Sequence, residues 1–454
     1  MTFCATLGQL SDVLDSTPAT NAGDFSQIRA TGICTDTRSL NAGEVFLALR
    51  GENFDGHAFV PAAVSKGAVA VIVECELPVE IPQFVVKDSL KAYQAIANWW
   101  RRQFSVPVIA VTGSFGKTTT KELISAVLET QGKVLKTQQN FNNEIGVPKT
   151  LLELSSDHDF AVIEMAMRGP GQIAELAEIA EPTIGVITNV GTAHIGLLGS
   201  KEAIAEAKCE LLAEMPATST AILNQDNELL MATAAQVWQG KTISYGLDGG
   251  DVFGKIIDGE TVEVEGLRFR LPLAGRHNAC NYLAALAVAK VLGISWEGLQ
   301  AGVAVDLPEG RAKRYDLPGD VVILDESYNA GLESMKAALY LLAETSGKRH
   351  IAVLGTMREL GDRSLEFHEN IGETVRDLKL DALFILADED EAKAMAGGAV
   401  GVPVVEVFVN TGPEAKSTLL SRLKSFVSGG DCLLFKASHA VALDKVVEQF
   451  RSDW

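Results

Sequence analysis

The chain has 454 residues, 47% hydrophobic and 22% charged, which suits a folded protein of about three domains and excludes collagen, coiled coil or general disorder as its main state. Its 59 acidic residues outnumber 39 basic ones, and a net charge of −20 makes a general binder of DNA, RNA or anionic membrane untenable. A nucleotide can still bind where a few donors are fixed locally. Six dispersed cysteines (4, 34, 75, 209, 280, 432) show neither Cys-x-x-Cys nor metal-knuckle spacing and read as thiols of a reducing compartment. The opening Met-Thr-Phe-Cys-Ala-Thr has no basic region and does not read as a signal peptide, and no apolar run approaches the ~18–20 residues of a membrane span, so a cytoplasmic protein is expected.

Along residues 1–104, apolar runs at 44–49, 68–73 and 83–86 alternate with helical patterns at 58–66 and 89–104, which predicts an α/β layer. A second unit, 105–310, opens on the continuous apolar run 106–111, the mark of a central parallel strand covered on both faces. Strands of the same kind are predicted at 160–164, 183–188 and 220–223, and Pro308-Glu309-Gly310 marks the break. The third unit, 311–454, holds strand candidates at 321–324, 350–354, 382–386, 404–409 and 432–435, with helices such as 333–345 and 414–426 between them. The expected fold is three α/β domains, the central one a P-loop-type parallel sheet and the last a Rossmann-like doubly wound sheet.

The strongest chemical signal is Thr112-Gly113-Ser114-Phe115-Gly116-Lys117-Thr118-Thr119, behind a buried strand and opening a helical pattern. Converging backbone N–H groups and the helix dipole favour an anion there, Lys117 can reach outer phosphates, and Thr118 can offer its hydroxyl to Mg²⁺. The spacing is the tighter Gly-x-x-Gly-Lys-Thr; Val111 stands where the longer form has its first glycine. Glu164 ends one predicted strand and His194 follows another, so both reach the ligand edge of the sheet. Each alone reads better as a solvated strand-end acid or a satisfied core histidine. Lys208, between Glu206 and Glu210, reads locally as a solvated helix charge. Asn278 and Asn281, three apart at a helix start, share one face; they suit either an adenine edge or helix capping.

Thr-Gly-x-x-Gly-Lys-Thr-Thr behind such a strand resembles the ATP-dependent Mur ligases of peptidoglycan synthesis and their relatives the folylpolyglutamate synthases, and the resemblance covers almost the whole chain. It implies ATP and two Mg²⁺ ions, with Gly113, Ser114, Phe115, Gly116, Lys117, Thr118 and Thr119 around the phosphates. It implies Thr118, Glu164 and His194 as metal ligands, and Lys208 carbamylated by CO₂ into an anionic oxygen ligand. Burial would favour the neutral amine which that modification needs. It assigns Asn278 and Asn281 to adenine, Arg311 to the nucleotide at the domain junction, and Asp325-Glu326 to an acidic pair of which one approaches the ribose. Where the family continues Asn-Pro, this chain has Gly331-Leu332; where it has Lys-Gly-Ser-Arg, this chain has Lys436-Ala437-Ser438-His439.

Within the family, Asn140-Phe141-Asn142-Asn143 with Gly146 and Pro148 resembles the signature of the branch that adds D-Ala-D-Ala, as do Asp325 with Ser327-Tyr328-Asn329-Ala330 and Gly355-Thr356-Met357-Arg358-Glu359-Leu360-Gly361. Thr35-Asp36-Thr37-Arg38 and the 51–57 stretch, Gly-Glu-Asn-Phe-Asp-Gly-His, resemble that branch's UDP-binding elements. An Asp-Asn-Pro-Arg motif and a Cys4 zinc insert, seen in other branches, are absent. The resemblance therefore implies an amide ligase acting on UDP-N-acetylmuramoyl-tripeptide and D-Ala-D-Ala, with Thr35–Arg38, Asn140, Asn142, Asn143, Tyr328 and Asn329 on the substrate side. No nucleic-acid partner is expected, and the enzyme is expected to be a monomer. The rivals are another Mur-type or folylpolyglutamate-type ligase, a plain P-loop kinase or ATPase, and a binding protein with a dead site.

Overall fold

The computed structural model describes residues 2–19, 24–51 and 54–454; Glu52 and Asn53 of the 51–57 stretch lie outside these. Three main sheets follow one another along the chain, with two small antiparallel pairs besides, Ala5–Thr6 with Arg29–Ala30 and Arg50–Gly51 with Phe54–Asp55. The first has four parallel strands in the order Ile33–Cys34, Val45–Leu47, Ala70–Val73, Gln83–Val85. The 58–66 pattern is a 3₁₀ turn, Gly56–Phe59, running into the helix Val60–Ser65, with Pro61 in its first turn.

The central sheet has nine strands. Its parallel part runs Val134–Lys136, Phe160–Glu164, Val108–Thr112, Ile184–Ile187, Thr220–Asn224, Lys241–Gly246. Val108–Thr112 is buried at every position and lies between Phe160–Glu164 and Ile184–Ile187. The strand order reverses around it, which opens a crevice at its C-terminal end. Beyond Lys241–Gly246, the strands Val252–Asp258, Thr261–Val264 and Leu267–Arg270 make an antiparallel meander that the hydropathy runs did not predict. It is a half-exposed layer: Val252, Val262, Val264 and Phe269 are buried while Lys255, Arg268 and Arg270 point to solvent.

The third sheet has the order Lys313–Leu317, Val321–Asp325, Cys432–Lys436, His350–Gly355, Ala382–Ala387, Val404–Val409. The five predicted strands are present and parallel. Lys313–Leu317 is an added antiparallel edge, whose alternating charged residues hid it from a hydropathy reading.

Helix Ser89–Arg101 fastens the first unit to the second. Asp88 caps it by accepting the Lys91 N–H, and Ala92, Tyr93, Ile96, Ala97 and Trp100 form its buried stripe. Trp100 packs against Phe3 and Phe104 and donates its indole N–H to Leu154 O at 3.0 Å. Arg101 donates to Ala180 O at 2.9 Å, and Asn98 to Glu178 O and Ile179 O. One connected apolar cluster takes in Phe84, Ile163 and Met357, one from each unit. No described helix is long and apolar enough to cross a membrane, and all six cysteines are unpaired.

Replacing Trp100 with Ala removes a buried aromatic and strands the Leu154 carbonyl. The expected loss is about 3–5 kcal/mol, read as a lower urea midpoint. An unchanged midpoint would mean that this contact does not hold the first two units together.

Candidate active site

The site forms where the central strand stops. After Thr112 the chain turns through residues 113–116 into helix Lys117–Leu128, capped by Gly116 in the left-handed region at φ +75°. A side chain there would collide with the Asn281 amide, 2.9 Å from the Cβ position, so glycine is what lets Asn281 lie against the loop. Thr188 and Asn189, just past strand Ile184–Ile187, brace the turn. Thr188 Oγ1 donates to Phe115 O at 2.7 Å, and Asn189 accepts the Phe115 N–H at 3.0 Å while donating to its carbonyl at 2.9 Å. Ser114 Oγ accepts the Gly191 N–H at 2.8 Å. These bracing residues escaped the sequence reading. Their position at the end of a neighbouring strand was the available signal, but Thr-Asn is a common strand exit.

Lys117 lies close enough to Glu164, His194 and Lys208 to interact electrostatically with each. Lys117 Nζ donates to Gly113 O at 2.9 Å; burial pushes its ammonium down, and Glu164 partly offsets this. Glu164 is buried. Its Oε1 accepts from Asn142 Nδ2 at 2.8 Å, whereas its Oε2 has no partner among the described residues. Lys208 is 2% exposed, and among the described residues its amine makes no hydrogen bond or ion pair. Burial pushes its pKa far below the usual lysine range, and the Lys117 charge pushes it further. Lys208 is therefore not the solvated charge that its Glu-flanked helix suggests. His194, at φ +65°, is pushed down mainly by burial and also feels Lys117 and Lys208.

A buried carboxylate oxygen without a donor is what a hard divalent cation would satisfy, so Glu164 suits Mg²⁺. Among the described residues no three His, Cys, Asp or Glu side chains converge to hold a metal. A metal here would need oxygen from a modified Lys208 or from the ligand.

The third unit closes one side. Arg311 stacks over Tyr328, 3.9 Å from the ring centroid, and its buried Nε has no partner among the described residues. Tyr328 also packs on His439, with 5.1 Å between ring centroids. Arg311, Tyr328, His439 and Asn140 line a cavity of about 380 Å³ between the second and third units. Lys436 lies 3.6 Å from Glu326 and donates to Asn329 O. Asp325 is turned inward: its Oδ1 accepts both the N–H and the hydroxyl of Ser327, while burial raises its pKa. Asn278 donates to Ala274 O at 2.8 Å, and Asn281 packs beside it.

Two of the three amide residues in the polar loop serve the fold: Asn142 holds Glu164, and Asn143 Oδ1 accepts the Gly146 N–H to start helix Gly146–Leu152. In the first unit, Arg38 grips Asp36 and holds its carboxyl down to about 2; Lys149 of the second unit adds to the effect. Lys66 donates to Thr37 O.

Three stretches match known sequence families: "Mur ligase family, catalytic domain" over 29–110, "Mur ligase middle domain" over 111–289, and "Mur ligase, glutamate ligase domain" over 310–439. The chain is 60% identical over 431 residues, 94% of its length and 93% of the relative's, to the UDP-N-acetylmuramoyl-tripeptide–D-alanyl-D-alanine ligase of Synechocystis sp.. It superimposes on MurF from Acinetobacter baumannii with a TM-score of 0.90, at 31% identity and 99% coverage of both chains. With MurF ligase from Thermotoga maritima in complex with ADP the TM-score is 0.83, at 31% identity and coverage of 93% and 97%.

Unfolded, Lys208 titrates near 10.5, and folded it titrates well below. Between those values the unfolded chain holds more protons, so this group destabilises the fold increasingly as pH falls from about 10.5. Lys208→Met should therefore be more stable than the wild-type protein in CO₂-free buffer. The gain in Tm, at least about 2 °C near pH 7, should shrink toward pH 10. A gain that does not vary with pH would contradict the neutral, buried amine.

Proposed function

The chain belongs to the Mur ligase family, and from that premise we propose that it is the ATP-dependent ligase joining D-Ala-D-Ala to UDP-N-acetylmuramoyl-tripeptide, in the cytoplasm, during peptidoglycan precursor synthesis. The observation that carries the site assignment is the meeting of Lys117, His194, buried Lys208 and the unsatisfied Glu164 oxygen at the end of the central strand. Residues 1–104 would hold the UDP-linked substrate, 105–310 the nucleotide phosphates, and 311–454 the remaining face of the nucleotide and the incoming dipeptide.

The reaction needs two displacements. The tripeptide carboxylate attacks the γ-phosphorus of ATP, forming an acyl phosphate and releasing ADP. The dipeptide amine then attacks the acyl carbon; phosphate departs and the nitrogen loses a proton. Lys117 and the amides of residues 113–119 offset charge on the transferring group. Lys208 Nζ, as the neutral amine, adds to CO₂ and loses a proton, giving a carbamate oxygen beside Glu164 and His194. Thr118, Glu164, His194 and that carbamate would hold Mg²⁺, two ions in all with the nucleotide's oxygens. When bound, Mg²⁺ supplies charge neutralisation on the phosphoryl oxygens. Asn278 and Asn281 face adenine in this reading. Glu326 rather than Asp325 approaches the ribose, because Asp325 is occupied by Ser327. Arg311, Tyr328 and Asn329 close the site, excluding water that would hydrolyse the acyl phosphate. Thr35, Asp36, Thr37, Arg38 and Asn140 contact the UDP-linked substrate, while Asn142 and Asn143 shape the loop beneath it.

Mass detection of the pentapeptide product from UDP-N-acetylmuramoyl-tripeptide, ATP and D-Ala-D-Ala tests the proposal. Product should form with the dipeptide and not with single amino acids. Lys117→Ala should cut turnover at least 10³-fold with its circular dichroism spectrum retained. Amide formation with a single amino acid in place of D-Ala-D-Ala would reassign the acceptor, and full turnover by Lys117→Ala would remove Lys117 from the chemistry.

A further inference from the structure

One carboxylate of the third unit, Glu359, meets His194 directly. Glu359 lies past strand His350–Gly355, its backbone in the left-handed region at φ +61°. Its Oε2 is 2.5 Å from His194 Nδ1, and its backbone carbonyl accepts the Gly196 N–H at 3.1 Å. The two loops touch backbone to backbone: a Cβ on Gly196 would sit 2.5 Å from Gly361 N. His194 Nε2 has no hydrogen-bond partner among the described residues.

We infer that Glu359 is a positioning residue for His194. By accepting the Nδ1–H it fixes the ring orientation and the tautomer, leaving the Nε2 lone pair for the cation. The inference rests on the reading of His194 as a metal ligand, and adds that the ligand is set from a different unit of the chain. Metal-binding histidines almost always donate their second N–H to such a group, and losing it typically lowers metal affinity 10–100-fold. The rival is a simple latch between units. Glu333 provides the comparison, because it also ties the third unit to this segment without touching His194: its carboxylate accepts the Thr192 N–H at 3.0 Å and hydroxyl at 2.8 Å, and lies 3.5 Å from Lys201 Nζ.

The test is Mn²⁺ affinity of the full chain with a non-hydrolysable ATP analogue, read by electron paramagnetic resonance as free Mn²⁺. Glu359→Ala should weaken Mn²⁺ binding at least 10-fold. Glu359→Gln should recover most of that, because the amide oxygen still accepts the Nδ1–H. In a His194→Ala background, Glu359→Ala should change affinity less than 2-fold, whereas Glu333→Ala should have the same effect in both backgrounds. Should Glu359→Ala cost the full factor again without His194, Glu359 is a latch and the inference fails. Failure of Glu359→Gln to recover affinity would also overturn it. Unchanged Mn²⁺ affinity in His194→Ala alone would instead overturn the metal-site reading beneath it.

Discussion

Lys208, buried and without a hydrogen bond or ion pair among the described residues, and Glu164, with one buried oxygen unpartnered among them, both lie near Lys117. Such groups are tolerated only where something offsets their desolvation. Protein hydrogen bonds supply that almost everywhere else in this chain, as for Lys121, whose buried ammonium meets Thr137 O and the Glu122 carboxylate. Lys208 and one oxygen of Glu164 lack such bonds among the described residues. Neighbouring elements fix Glu164 and the 113–116 turn by hydrogen bonds. Thr137 Oγ1 accepts the Glu164 N–H, Asn142 holds one of its oxygens, and Asn189 clamps Phe115 at both ends.

The overall acidity of the chain has a matching local exception. Lys117, Lys208, Arg311 and Lys436 interact electrostatically in a connected series, opposed by Glu164 and Glu326. The net charge of −20 opposes any polyanion that lacks a built pocket. In the proposed reading the pocket suits an anion whose charge is concentrated and whose shape reaches both the 113–119 loop and the third unit. A nucleotide triphosphate meets those terms and a nucleic-acid backbone does not.

The parallel sheets and the phosphate loop were legible because continuous apolar runs and Gly-Lys-Thr carry local signals. The meander at 252–270 and the edge strand Lys313–Leu317 were not, because their faces are half charged and their pairing is decided by neighbours. Lys208 shows the limit most clearly. Its flanking glutamates spell a solvated helix face, and only the packing of helix Lys201–Glu214 turns it inward. The polar loop at 140–143 has a structural side that its sequence did not show: Asn142 Nδ2 donates to Glu164, and Asn143 Oδ1 accepts the Gly146 N–H. Glu333 carried no pattern, and Glu359, although it lies inside the 355–361 motif, gave no sign of its partner: the two meet Thr192 and His194 across 141 and 165 residues of chain.

The helix Ser89–Arg101 carries one more implication. Through Trp100, Arg101 and Asn98 it ties the first two sheets together. The third sheet is joined through Gly310 and Ala312, both with positive φ. A swing about that joint would carry Arg311's neighbours, Glu333 and Glu359 away from the phosphate loop without altering the distance from Arg38 to Lys117. The acceptor acid and the triphosphate would thus be measured against each other on a fixed ruler. In the proposed reading, such a swing would return Glu359 to His194 together with the second nucleophile, so that activation and capture would be separated by mechanics rather than by affinity.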